Sequence, residues 1–307
     1  TAEANMLHPV VTTFCAPGGV GRPCLGCNGV LRDARGAVQH CINDSSTTWW
    51  QAALDAAGAN NRSSVLVSPA TIGIASKLRA WNPLGTGTGV HVSSGVSFGG
   101  LCPAHPTAIV PLPSVGNASA RLWSLVLVAG QLTGHPPAWP RPAVDVTLHN
   151  LVLSGVAEAD APSWRHCSAA ESARGEAPSA LPPALMRVSR GIFLPYAGPG
   201  VNVHNCTVLH TFGNAIETGV FEQWVADTAA DGADAACYNS TRFCEGKVFG
   251  FRGTSSHPNV IRDNTICDAR FGGITIIGSD VLVAHNTISV SEKTWVSESQ
   301  NHGSTMG

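Results

Sequence analysis

Apolar and polar residues alternate in short runs from Val65 onward: Val65/Val67, Val90/Val92, Val96/Phe98, Val144/Val146/Leu148, Val201/Val203 and Val281/Val283, with a fuller apolar run at Leu125, Val126 and Leu127. A period of two sends successive side chains to opposite faces of an extended chain, so each run predicts a short strand, and the Gly, Pro, Asn and Asp between them predict turns. One stretch has a helical period instead. Trp50, Leu54 and Ala57 fall on a single stripe ending at Gly58, and Thr48 with Gln51 has capping-box spacing, Thr48 as N-cap and Gln51 at N3. Residues 1–43 are rich in Gly, Pro and Cys, lack sustained periodicity and read as an irregular extension.

The strand runs are copies of one another. Residues 281–288 (VLVAHNTI) align with 259–266 (NVIRDNTI), 22 positions earlier, superposing Asn286 on Asn264 and Ile288 on Ile266. Residues 201–208 (VNVHNCTV) and 146–153 (VTLHNLVL) extend the alignment, with Cys206 and Leu151 where the later copies have Asn. The next strand keeps step as well, since Val208 to Ile216 and Ile266 to Ile274 are both eight residues. A 22-residue unit of three short strands and polar turns predicts an all-β parallel β-helix solenoid, each rung laid on the previous one at ~4.8 Å with apolar ladders inside. Asn264 over Asn286 predicts an internal amide ladder at a turn. A β-sandwich would show hairpin turns without this register, and an α/β fold would need long helical patterns that are missing. Two excursions, 156–184 and 221–258, are expected as long loop insertions at turns.

Residues 48–57 (TWWQAALDAA), 65–72 (VLVSPATI) and 89–100 (GVHVSSGVSFGG) resemble the opening of pectin-lyase-fold proteins, and the later rungs resemble that superfamily's generic repeats, over roughly residues 44–296. The resemblance implies a right-handed coil whose first rung is covered by a short N-terminal capping helix. It divides the chain into an extension at 1–43, a β-helix domain at 44–296, and a flexible tail or the start of a further segment at 297–307. It also implies acidic polysaccharides as substrates of the enzymes in the superfamily: hydrolases with paired carboxylates, and lyases with Arg or Lys as base, commonly aided by calcium.

Composition narrows the setting. Ten cysteines and five Asn-X-Ser/Thr sequons, at Asn43, Asn61, Asn117, Asn205 and Asn239, favour a secreted or cell-surface glycoprotein. Cys237 and Cys244 bracket a six-residue loop carrying one sequon and are expected to pair. Cys15, Cys24, Cys27 and Cys41 are expected in disulfides of unknown connectivity; Cys24-x-x-Cys27 has zinc-ligand spacing, but a second such pair is absent and no metal is expected. A net charge of −2 with scattered Lys and Arg argues against nucleic acid as a partner, and no apolar run approaches the ~20 residues that span a membrane.

The polygalacturonase-type signatures and the Asp-Pro-His-Asp motif of mannuronan epimerases are absent, as are nucleophile elbows and phosphate loops in a strand-turn-helix context. What remains is a loose polar set, with His210, Glu217, Asp263, Asp268 and Arg270 as catalytic candidates and His204 and Arg262 beside them. Rung equivalence is expected to bring Glu217 over Thr275 and His204 near Arg262. The expected role is a structural or interaction module in a cell-wall, flagellar-surface or receptor-associated assembly, with other extracellular glycoproteins or glycans as partners and no cofactor. The alternative is a polysaccharide lyase or hydrolase acting on an acidic glycan, with calcium only if it is a lyase.

Overall fold

The computed structural model describes residues 29–32, 35, 37–42, 47–59, 63–67, 71–74, 79–80, 87–101, 107–115, 121–130, 142–157, 183–195, 197–219 and 251–289. Its strands fall into three main sheets that the chain visits in rotation. The first sheet holds β1 (Gly29–Arg32), β2 (Val38–Ile42), β3 (Ser63–Val67), β7 (Val96–Gly100), β10 (Thr147–His149), β13 (Asn202–His204), β17 (Asn259–Arg262) and β21 (Val281–Ala284), in the order β2-β1-β3-β7-β10-β13-β17-β21. The second holds β4 (Thr71–Ile74), β8 (Thr107–Pro111), β11 (Leu151–Ser154), β14 (Thr207–Leu209), β18 (Thr265–Cys267) and β22 (Thr287–Ser289). The third holds β5 (Arg79–Ala80), β6 (Gly87–Val92), β9 (Leu122–Val128), β12 (Val188–Leu194), β15 (Asn214–Thr218) and β19 (Gly272–Thr275), while β16 (Phe251–Arg252) and β20 (Gly278–Ser279) form a separate two-stranded parallel sheet.

From β3 onward each strand pairs in parallel with its equivalents one turn away, apart from the antiparallel β5–β6 contact. This is the all-β parallel β-helix that the repeat predicts. Its interior is built from three continuous ladders. Val65, Phe98, Leu148, Val203, Ile261 and Val283 run through the first sheet. Ile72, Ile109, Leu153, Val208, Ile266 and Ile288 run through the second. Val90, Val126, Ile192, Ile216 and Ile274 run through the third. Apart from members in the last rungs, these side chains are essentially inaccessible, and each such burial contributes roughly 1.5–3 kcal/mol.

The corners explain which polar residues the sequence needs. Between the first and second sheets a single left-handed residue turns the chain: Asn150, Asn205, Asp263 and His285, with φ of 52–55°. Between the second and third, His210 and Asp268 do the same at φ 53° and 55°. Entering the first sheet, Gly95, Asp145, Gly200 and Asp280 share the left-handed conformation. Asn, Asp and His tolerate that region better than other non-glycine residues, so corner geometry by itself favours these types.

The amide ladder is present. Asn264 Oδ1 accepts the Cys206 N–H at 3.0 Å, while its Nδ2 donates to Val203 O at 3.1 Å and to Asn286 Oδ1 at 2.9 Å. Asn286 Oδ1 also accepts the Asn264 N–H, and Asn286 Nδ2 donates to Ile261 O. Side-chain amides thereby satisfy backbone groups that a tight corner leaves unpaired.

Helix α1 (Thr47–Ala59) lies against the first rungs with Trp50, Leu54 and Ala57 buried, as the stripe predicts. Its start differs from expectation: the helix already includes Thr47, so Thr48 is an exposed residue of the first turn and not the N-cap. Gln51 does not fold back to cap either. Its Oε1 accepts the His91 N–H at 2.7 Å and its Nε2 donates to His91 O at 3.1 Å, so one side chain pairs with strand backbone as a neighbouring strand would. A second difference lies in the stretch read as irregular. There β1 and β2 pair antiparallel, and β1 pairs antiparallel with β3, so short non-repeating segments find order by adding to a sheet edge.

Candidate functional site

Rung stacking brings together several of the polar residues singled out in the sequence. Glu217 sits over Thr275, and His204 is in register with Arg262, both as expected. His210 and Asp268 occupy equivalent corners of successive rungs, with His210 Nδ1 3.1 Å from Asp268 Oδ2 and both side chains buried.

Glu217 alternates along β15 with the core residue Ile216 and is 4% exposed. Its carboxylate is fully engaged. Arg190 Nη2 donates to Oε1 at 2.8 Å, Arg190 Nε lies 2.7 Å from Oε2 as an ion contact, and Asn214 Nδ2 donates to Oε2 at 2.5 Å. The Arg190 guanidinium lies 3.8 Å above the Trp123 ring and 5.2 Å from Phe193, whose ring meets Trp123 edge-on. Charge neutralisation, donors and aromatic packing together account for a buried carboxylate.

Arg270 lies at the edge of another aromatic group. Its guanidinium is 6.0 Å from the Phe212 ring, on which Arg121 packs at 3.6 Å, and Phe271 meets Phe212 edge-on. Burial, and secondarily the charge of Arg270, pull the Arg121 guanidinium below its ordinary value. Asp263, half-exposed, accepts from Arg262 Nη1 at 2.6 Å and has His285 Nδ1 at 3.5 Å.

These acids do not converge. Asp263 marks the corner between the first and second sheets, Asp268 the corner between the second and third, and Glu217 the middle of a strand in the third. Five extended steps from Asp263 to Asp268 amount to roughly 15 Å, beyond the ~9.5 Å upper limit for a pair of glycosidase carboxylates. Among the described residues no group of three or more His, Cys, Asp or Glu is placed to hold a metal ion.

A pair that the sequence reading left unassigned is the stack of His149 on His204, one rung apart, with ring centroids 5.6 Å apart and planes within 13°. Asn150 Nδ2 lies 2.9 Å from His149 Nδ1, and Asn205 Nδ2 3.2 Å from His204 Nδ1. Each amide can donate to its imidazole, which puts the imidazole hydrogen on Nε2. Burial, followed by the neighbouring His204, pushes the His149 pKa down to about 3. The signal was legible, because both histidines occupy the fourth position of aligned copies.

Asn205 is the one sequon asparagine within the described residues and is exposed at its corner; Asn43, Asn61, Asn117 and Asn239 lie outside them. Cys15, Cys24, Cys27, Cys237 and Cys244 also lie outside, as does the side chain of Cys41. Cys206 is a buried free thiol whose pKa burial pushes up to about 12, whereas Cys267 is disulfide-bonded. No helix among the described residues is long and apolar enough to cross a membrane. Comparison with family models, with curated proteins and with solved structures gave no match.

Proposed function

We propose that this chain is a rigid structural or interaction module of an extracellular, N-glycosylated assembly, of the cell-wall, flagellar-surface or receptor-associated kind, built on a right-handed coil of the pectin-lyase type. One observation carries the reading. The polar residues that a catalytic reading would recruit are already used by the coil: His210, Asp263 and Asp268 hold left-handed corners, and Glu217 is neutralised by Arg190. The disulfide at Cys267 and the exposed sequon at Asn205 support an oxidising, glycosylating route and partners that are glycoproteins or glycans. A second reading, a lyase or hydrolase acting on an acidic glycan, has the buried His210–Asp268 pair in its favour.

The test is to express the chain through a secretory pathway and incubate it with a panel of uronic-acid polymers, with and without calcium. The structural reading expects no unsaturated or reducing ends, and expects a mass decrease on treatment with an N-glycan-releasing amidase. Product formation that disappears in Asp268→Asn or His210→Asn would overturn it in favour of the enzyme.

A further inference from the structure

Of the four residues that turn the corner between the first and second sheets, Asn150, Asn205, Asp263 and His285, only Asn205 heads an Asn-X-Ser/Thr sequon, Asn205-Cys206-Thr207. The asparagine is exposed, with φ of 52°, and its Nδ2 reaches back to His204 Nδ1 at 3.2 Å. The backbone around it is occupied on both edges. β13 pairs with β10 on one side and β17 on the other, and β14 pairs with β11 and β18. Between those strands the Cys206 N–H donates to Asn264 Oδ1 at 3.0 Å, the Cys206 carbonyl accepts the Thr265 N–H at 2.9 Å, and the Cys206 side chain is buried. The sequon is therefore part of an interior rung, clasped at its middle residue by the amide ladder of the rung that follows.

We propose that Asn205 carries an N-glycan transferred only before the rung of residues 259–267 closes over it, and that the folded coil is no longer an acceptor. This rests on the secretory, N-glycosylated reading above and adds to it the order of events. In the transfer, Asn205 Nδ2 attacks the anomeric carbon of an oligosaccharide linked to a polyprenyl diphosphate. A C–N bond forms, the C–O bond to the diphosphate breaks, the lipid diphosphate leaves and Nδ2 gives up one proton. The transferring enzyme has to hold the Asn205 amide and the Thr207 hydroxyl together in a cleft that wraps the acceptor backbone, and the neighbouring rungs already fill both edges of that backbone. Asn264 follows Cys206 by 58 residues. At ~5–20 residues synthesised per second, the sequon stays at an open edge for about 3–12 s before its following rung arrives. One hydrogen remains on Nδ2 for His204 after transfer, and the sugar leaves from an exposed corner without displacing a core side chain.

Purified oligosaccharyltransferase with its lipid-linked donor tests this on three acceptors: the folded, unglycosylated 307-residue chain, the same chain with Asn264→Ala, and a synthetic peptide of residues 200–210 as the unfolded control. Maleimide protection of Cys206, read by peptide mass mapping of the same samples, reports whether the rung is closed. Expected are ready transfer to the peptide and transfer to Asn205 of the folded chain slower by at least about tenfold, because only the locally opened fraction reacts. Asn264→Ala should accept faster than the parent, and the chain expressed through a secretory pathway should carry sugar at Asn205. Transfer at the peptide's rate to a folded chain with Cys206 still shielded, or a secreted chain with sugar at other sequons and none at Asn205, would overturn the proposal alone. A secreted chain without sugar at any sequon would overturn the glycoprotein reading and the proposal with it.

Discussion

Replacing Asn264 by Ala should be among the more damaging single changes in the coil. The side chain is 1% exposed and makes three hydrogen bonds, two of them to the backbone of the preceding rung, at Cys206 N–H and Val203 O. Truncation leaves the buried Cys206 N–H without its acceptor and removes only a second donor from Val203 O, which lies within the β13–β17 ladder, giving about 1–3 kcal/mol in total. Asn286 Oδ1 keeps the Asn264 N–H, so its side of the ladder is only weakened. Asn286→Ala, in the last and more accessible rung, should cost only ~1 kcal/mol because water can replace the lost partners. Asn264→Asp is the sharper control. It preserves shape and the acceptor for Cys206, but puts a buried carboxylate against Val203 O and Asn286 Oδ1, so at neutral pH it should be no better than Ala. Because a solenoid can open rung by rung, the readout is hydrogen exchange at the Cys206 amide alongside urea unfolding. An Asn264→Ala change within 0.5 kcal/mol of the parent, or an Asn264→Asp chain as stable as the parent at neutral pH, would refute the ladder's role.

Three further outcomes follow from the same geometry. His149 stays neutral in the fold down to about pH 3, whereas the unfolded chain protonates below its ordinary value of 6.5. The unfolded state therefore binds more protons between those values, and stability falls as pH drops, by ~2–3 kcal/mol from pH 7 to 4.5; His149→Phe should flatten the unfolding curve over that range, and an unchanged slope would contradict the assignment. At the Asp263 corner, Asp263→Asn should be near-neutral in thermal unfolding while Asp263→Val costs ~1–2 kcal/mol, because φ of 55° excludes β-branched residues and not amides. Arg190→Met should cost ~3–5 kcal/mol by stranding Glu217, and Arg190→Met/Glu217→Leu should recover most of it; a double-mutant cycle without coupling would show that the pair is not the reason for Glu217's burial.

The coil was legible because its rungs repeat in sequence: Asn264 and Asn286, or Ile266 and Ile288, fall 22 residues apart and end up in adjacent layers. Val208 and Ile266 are 58 residues apart, yet also pair, and only the shared motif revealed it. The strands β1 and β2 were not legible, since they belong to no repeat and owe their order to the edge that β3 offers. Thr48 was misplaced by one turn geometry, because residues of capping type also occupy first turns. The polar set was legible as residues but its placement was not: His210, Asp263 and Asp268 stand at left-handed corners, and residues of these types are common both there and in active sites, so sequence alone does not separate the two. The Arg190–Glu217 pair was invisible because its partners are 27 residues apart and only the stacking of β12 on β15 joins them.

The most direct test of the stacked coil is a methyl–methyl nuclear Overhauser measurement on isoleucine- and valine-labelled protein. Cross-peaks are predicted between Val203 and Ile261, between Val208 and Ile266, and between Ile266 and Ile288, each pair one layer apart. Assigned spectra in which Val208 and Ile266 show no mutual contact, while each contacts residues of a different layer, would contradict it.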